Sequence, residues 1–560
     1  MCLVAFLLPG LVWNRPATAQ TQPASPPSEL HEALVGQLNK LNPLFAQANP
    51  VDATITSLIF EGLTTVNQYG EVVPDLAERW SISQDGLEYV FFLRRDVLWQ
   101  DGLPFTSADV AYTFRTLRDR DFPGDPALRD FWRSVEITVI DEHTLRFRLV
   151  QPLAAFPYKL QQGIVPVHAL EGAPIATLDQ HPFNLSPIGT GPYQLESLFS
   201  DAGNVIGASL RVAPNFLPRP DGAPGYTLDR LVFWTYPTLD AAIEALLGGE
   251  VNALGGFPGD RLAELAPLQT LTVQATLAPE VGMLLFNWQR DELAYFRQRD
   301  FRRALALGTN RQTVVNNALP SQAVVTDSPF LPGSWAHNPL ARLPDHNLEE
   351  ARRLLEGVSF EPPAPEEGEE AVEIRRDFRI MVLDDPRIAG VAFEVAAQWS
   401  GLGFGVELDI VDAETLAARL ESHDFDVALI EIALSADPDQ YPLWHQDQIE
   451  NGQNFAGVVD TQLSGTLVAA RRDSNGANRK RLYDLFQETF VNRVPALPLY
   501  NPLYYYVVDA RLQGVQLEVL SNPMGRFNTV SALVLPCGIA SRRASPLRRL
   551  PGHPGAGGGS

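Results

Sequence analysis

The sequence predicts an α/β protein built on a parallel sheet with crossover helices, with a compact α+β unit nearer the N-terminus. Three observations carry this. Phe378–Leu383, Ile388–Trp399, Gly405–Ile410, Ala413–Leu420 and Asp426–Ile432 alternate strand and helix patterns. Such a βαβαβ rhythm requires parallel strands joined by crossovers. Residues 66–187 instead hold short strands around tight turns, the pattern of an antiparallel unit. Val281–Trp288 (VGMLLFNW) is a continuous apolar run, as in a strand covered on both faces.

The remaining elements follow from local signals. Pro50–Gly62 reads as a helix with Asp52 and Thr54 near its start and Gly62 as its stop. Trp80–Phe92 reads as two strands around Asp85-Gly86, a strong hairpin signal. Thr106 or Ser107 caps a helix over Ala108–Arg118, with Val110, Phe114 and Leu117 on one face. Val135–Val150 gives two more strands. Ser186–Leu195 (SPIGTGPYQL) is a turn running into a strand, its glycines admitting unusual backbone angles. Asp229–Tyr236 is a strand, and Thr238–Leu247 a helix ended by Gly248-Gly249. Helices follow over 300–307, 309–319 and 480–492, and a strand starts at Ala496–Tyr500. Residues 361–376 form an acidic surface loop.

Composition narrows the function. The chain has 560 residues, 43 Lys plus Arg and 67 Asp plus Glu, a formal charge of −24. That sign repels phosphate backbones, so nucleic acid is not an expected partner. Cys2 and Cys537 are the only cysteines, too few for a disulfide framework or a cysteine metal site. The nine histidines show no metal-ligand spacing. No H-E-x-x-H, P-loop, G-x-S-x-G or C-x-x-C occurs, so no enzyme is expected. Residues 2–13 are almost wholly apolar and precede Ala17-Thr18-Ala19. This reads as a signal peptide over 1–19, followed by a Gln/Pro/Ser-rich tether over 20–29. Residues 532–560 read as a disordered basic, Gly/Pro-rich tail.

One polar segment stands out. Ser435-Ala436-Asp437-Pro438-Asp439 follows the strand at 426–432, and ligands in open α/β sheets gather at the carboxyl ends of strands. Two carboxylates there, beside Tyr441 and Trp444, suit a cationic group. Phe286, Asn287 and Trp288 end the buried strand and are candidates to line a cleft.

Six segments in order carry a resemblance to a known family: residues 41–114 (LNPLFAQANPVDATI…TSADVAYTF), SPIGTGPYQLES (186–197), FNWQRDELAYFRQRDFRRALALGTNRQTVV (286–315), PFLPGSW (329–335), DFDVALIEIALSADPD (424–439) and VPALPLYNPLYYYV (494–507). The chain resembles the extracytoplasmic solute-binding proteins of family 5, the peptide and nickel-type receptors of ABC importers. The resemblance implies a class II periplasmic-binding-protein-like fold, two lobes joined by a hinge. Lobe I would comprise 30–65, 188–283 and 498–531, with 66–187 as its extra α+β subdomain and 284–497 as lobe II. The chain would cross between lobes near Phe286 and near Pro495–Pro498.

It further implies a monomeric, exported receptor, periplasmic or attached at the outer face of the cytoplasmic membrane. Such a receptor passes a small peptide to membrane permease subunits and needs no cofactor. By the family pattern Asp437, with Asp439 as alternate, would bind the peptide's α-amino group. Gln47 and Asn49 would face the cleft, and roomy, wet pockets would accept varied side chains. Glu431 departs from a Gly-Trp pair of many relatives, and either adds charge to the site or points away. The alternative is a receptor of the same family for an oligosaccharide, opine or metal chelate, with Trp288, Trp335 and Trp444 available to stack on a sugar.

Overall fold

A computed structural model describes residues 29–217, 228–362, 372–517, 519–520 and 523–527. The expected signal peptide, all but the end of the tether, the basic tail, both cysteines and the centre of the acidic loop lie outside the described residues.

The βαβαβ stretch folds as its pattern requires. Strand Asp377–Leu383 pairs in parallel with Gly405–Val411 on one side and Val427–Ala433 on the other. Helices Pro386–Ser400 and Ala413–Glu421 make the crossovers. Each starts on an aspartate, Asp385 or Asp412, whose side chain accepts a hydrogen bond from a first-turn amide. The cap satisfies a donor that the helix itself leaves unpaired.

Strand Glu280–Phe286 continues this sheet, antiparallel to Val427–Ala433. Leu284 and Phe286 enter one core, while Val281, Met283 and Leu285 enter another on the opposite face. Period-two alternation between two apolar layers explains the unbroken apolar run. The strand stops at Phe286, because Asn287 turns its amide inward to donate to the carbonyls of His423 and Phe425 at 2.8 and 2.6 Å.

The 14-residue strand Ala496–Asp509 joins the two halves of the molecule. Its first part pairs with Glu280–Phe286, and its later part pairs with Leu271–Leu277 and Ala253–Gly255. Beyond Ala253–Gly255 the sheet runs through Glu29–Val35, Arg230–Tyr236, Asn204–Val212 and Tyr193–Asp201. The chain passes between the two sets of strands at Ala278-Pro279 and at Asn501-Pro502. There the Ala278 amide donates to the Pro502 carbonyl at 2.8 Å, and the Asn501 side chain donates to the Glu280 carbonyl at 2.8 Å. The crossings expected near Phe286 and Pro495–Pro498 are thus displaced. Phe286 and residues 496–498 are inside paired strands of one half, where ladder bonds hold them.

A separate four-stranded antiparallel sheet has the order Ala77–Ile82, Glu88–Leu93, Thr144–Arg148, Glu136–Asp141. Gly86 has φ +70° at its first turn, a conformation glycine adopts without steric cost. Helix Ser107–Leu117 covers the sheet, opened by a capping box between Thr106 and Asp109.

The Gly189-Thr190-Gly191 turn corrects a sequence expectation. Neither glycine has positive φ. A Cβ on Gly189 would lie 1.8 Å from the Ile59 carbonyl oxygen, and one on Gly191 would lie 2.7 Å from the Ile59 carbonyl carbon. These glycines admit close backbone approach at the end of helix Pro50–Ile59, where the Gly191 amide donates to the Ile59 carbonyl at 2.8 Å.

Candidate functional site

The turn after Val427–Ala433 brings the two predicted carboxylates to a boundary between the halves of the molecule. Asp437 meets Arg479, with Nη2 2.6 Å from Oδ1 and the side chains 11% and 5% exposed. Arg479 comes from helix Gly476–Arg493. Its Nε donates to the Ala470 carbonyl at 3.2 Å, and its guanidinium is 5.6 Å from the Trp335 ring and 5.3 Å from the Tyr483 ring. Burial pushes the Asp437 carboxyl above its ordinary pKa against the opposing pull of Arg479. Burial also opposes the charge of Arg479, but Asp437 and the neighbouring tyrosines hold its pKa above the ordinary value.

Asp439 has its own cation. Arg471 Nε is 3.2 Å from Oδ2, and the same guanidinium covers the Tyr441 ring at 4.4 Å. Oδ1 of Asp439 accepts from the Tyr441 amide at 3.1 Å. The two acids of the turn are therefore matched one to one by two arginines. Ser435 is exposed, and its hydroxyl donates to the Asp437 carbonyl at 2.6 Å. Arg479 takes Oδ1 of Asp437, while no described donor takes Oδ2.

Hydrogen bonds cross from this wall to the facing one. The Trp335 amide donates to the Tyr69 carbonyl at 2.9 Å, and its indole nitrogen donates to the Tyr158 hydroxyl at 3.0 Å. That hydroxyl donates onward to the Gly70 carbonyl at 2.9 Å. The Ala154 amide donates to the Arg471 carbonyl at 2.8 Å. Between the walls lies a cavity of about 30 Å³, lined by Gly70 from one side, by Phe330, Trp335, Leu434 and Ser435 from the other, and by Val519. That is room for about two water molecules. The walls are closed on each other.

The other predicted residues divide differently. Trp444 lies under the turn, 2% exposed, its indole donating to Gln440 Oε1 at 3.1 Å and its ring edge-on to Phe490. It is a support and offers no stacking face. Phe286 is in the core and Asn287 is a buried strut. Trp288 is half-buried with the Arg302 guanidinium 4.0 Å from its ring. Asn49 caps helix Pro50–Ile59, accepting from the Val51 amide, and donates to the Gln37 carbonyl at 2.8 Å. Gln47 is exposed. Glu431 is held at 2.6 and 2.7 Å by both Nη atoms of Arg387, and the Tyr500 hydroxyl donates to it at 3.0 Å. It contributes no unmatched charge.

Sequence reasoning missed Tyr158, Arg471 and Arg479. Arg471 and Arg479 sit on helices remote in sequence from the turn, and a helical arginine is ordinarily a solvated one. Only folding sets them against it. Trp335 was visible in the PFLPGSW segment as a stacking candidate, whereas the structure gives its indole a partner across the cleft. Among the described residues no group of three His, Cys, Asp or Glu side chains is placed to hold a metal ion. Among them, too, no helix is long and apolar enough to cross a membrane.

Residues 71–454 match the family model of bacterial extracellular solute-binding proteins, family 5 Middle. The chain is 26% identical over 545 residues to the probable ABC transporter periplasmic-binding protein SapA of Escherichia coli (strain K12), covering 92% of this chain and 95% of that one. It is 23% identical over 490 residues to the oligopeptide-binding protein AppA of Bacillus subtilis (strain 168), covering 86% and 87%. The AppA structure in complex with a nonapeptide matches at a TM-score of 0.64 and 20% identity, over 91% of this chain and 100% of that one. HbpA2 from Haemophilus parasuis matches at a TM-score of 0.75 and 22% identity, over 91% and 100%.

Proposed function

The chain belongs to the bacterial extracellular solute-binding proteins of family 5, and from that premise we propose that it captures a small peptide between two lobes and delivers it to the membrane permease of an ABC importer. The observation that carries this reading is the cavity whose walls come from both halves, joined across it by the hydrogen bonds of Trp335, Tyr158 and Ala154. Walls tied by individual hydrogen bonds of this kind can part, as a receptor must to load and unload.

In this reading residues 66–187 form a subdomain of lobe I, and lobe II, expected from the sequence over 284–497, runs instead from Glu280 to Asn501. The hinge lies at Ala278-Pro279 and Asn501-Pro502. Oδ2 of Asp437 accepts the peptide's α-ammonium while Arg479 keeps Oδ1. Ser435 and Asp439 lie beside it on the same turn. The protein acts as an exported monomer, with transport and not chemistry as its task. AppA, named as oligopeptide-binding and solved with a nonapeptide, supports the peptide as ligand class.

Native mass spectrometry on protein purified gently from its host tests the reading. A ladder of peptide-sized adducts is expected. A mass that stays bare after mixed peptides are added, yet shifts with oligosaccharides or a metal chelate, would leave the family and discard the peptide.

A further inference from the structure

A third segment spans the crossing between the halves, beside the two chain passages at Ala278-Pro279 and Asn501-Pro502. It follows helix Arg311–Ala318 of the second half, and Leu319 and Ala323 root it in that half's core. Strand Ala323–Val325 then pairs antiparallel with Tyr500–Pro502. The Thr326 amide donates to the Leu499 carbonyl at 3.1 Å, and Arg311 donates to the Thr326 carbonyl at 2.8 Å. The start of the segment reaches the first half. The Leu503 amide donates to the Gln322 carbonyl at 2.8 Å, and the Tyr505 hydroxyl donates to the Ser321 carbonyl at 2.5 Å. Tyr505 is 7% exposed and belongs to the core cluster of Ala33, Phe257 and Val507.

Both sides of this contact are shaped for it. Ser321 has φ +59°, a left-handed conformation that costs a residue bearing a side chain. Such a backbone persists where surrounding contacts over-determine it, and its carbonyl makes such a contact. On the receiving side, a Cβ on Gly259 would lie 2.5 Å from the Ser321 carbonyl oxygen and 3.0 Å from the Tyr505 ring. Glycine at 259 leaves room for that carbonyl.

Resting on the two-lobed reading above, we infer that residues 319–325 form a strap that holds the closed state from the hinge. The strap is rooted in one half and bonded to the other, on either side of Asn501-Pro502. Tyr505 lies four extended residues beyond Asn501, about 13 Å. A rotation of about 15° about the crossing would carry it through about 3 Å. A hydrogen bond does not survive such a displacement. The strap therefore favours the conformation in which its bonds are made, the closed one.

Amide hydrogen exchange of the full chain without ligand tests this. The Trp335 and Ala154 amides donate across the cleft, to the Tyr69 and Arg471 carbonyls, so their exchange reports opening. Leu284, between paired strands on both sides, reports global unfolding. Tyr505→Phe keeps the ring in its cluster and removes the bond to Ser321. It should speed Leu503, Trp335 and Ala154 about fivefold relative to Leu284, the worth of one ordinary hydrogen bond. Gly259→Ala, which displaces the Ser321 carbonyl, should act in the same direction. Trp335 and Ala154 at parental rates in both variants would overturn the strap, even if Leu503 alone speeds up. Tyr158→Phe, which acts at the cleft itself, separates the two failures. If it speeds Ala154, the lobes open and only the strap falls; if Ala154 is unmoved there too, the hinge falls with it.

Discussion

Asp437 and Arg479 are each buried, and each is the other's counter-charge. Removing one partner of such a pair strands the second, at a cost of about 3–5 kcal/mol. Arg479→Ala should therefore lower unfolding stability by about that amount. Replacing Asp437 as well should recover part of it. Urea unfolding of the two single variants and the double variant measures the coupling, and additivity of the two single effects would remove the pair from the account. The same site has a pH signature. The folded Asp437 carboxyl has a pKa raised above 3.8, so it binds its proton more tightly than the unfolded one. Its contribution to stability is full below the ordinary carboxylate range and is lost as pH rises through the raised value. Ammonium binding runs the other way, because it needs the ionised form. Peptide affinity should fall on acidification at a higher pH than an exposed aspartate would dictate. In Asp437→Asn affinity should be weaker, and flat over that window.

Elements here are set by single residues whose reasons differ. Asn49 holds the first turn of helix Pro50–Ile59, and Asn49→Ala should cost about 1 kcal/mol in thermal or chemical unfolding. Gly189 and Gly248 make a sharper contrast. At Gly189 an added methyl group collides with the Ile59 carbonyl, while at Gly248 nothing lies within 4 Å. Gly189→Ala should lose at least about 1–3 kcal/mol. Gly248→Ala, at the end of helix Leu239–Gly248, should be neutral or gain up to about 1 kcal/mol. Melting temperatures that move together would contradict this distinction between the two sites. Both glycines were visible in the sequence. That one meets a backbone oxygen from residue 59 was not, since a steric limit of that kind belongs to two segments far apart in the chain.

At the scale of the whole molecule, the expected behaviour is opening and closing about two strand crossings. The Tyr158 hydroxyl links the Trp335 indole to the Gly70 carbonyl across the cleft. Tyr158→Phe removes that link and should shift the balance toward the open form by about 1–3 kcal/mol. Small-angle scattering should then show a larger radius of gyration for the variant than for the parent without ligand, with both compacting on peptide addition. Identical radii in all four states would refute the hinge.

Much of this was legible from local pattern. The βαβαβ segment, the Asp85-Gly86 hairpin, the Thr106-capped helix and the doubly buried strand at 280–286 all form where periodicity and turn chemistry put them. Those signals act over a few residues, so the chain carries them before it folds. The ordered motifs from residue 41 to residue 507 likewise pointed to the family that the 71–454 match establishes. The long strand Ala496–Asp509 was legible only at its start, because its second half is defined by partners at 253–255 and 271–277. The site shows the same division. Asp437 and Asp439 could be located as acids after a strand, but Arg479, Arg471 and Tyr158, which neutralise them or close the cleft over them, are 42, 32 and about 280 residues away along the chain. Local sequence determined the elements and the family. Tertiary structure alone decided which charges are matched, where the chain crosses between halves and what lines the cavity, because those depend on distances between segments that only the packed fold brings into contact.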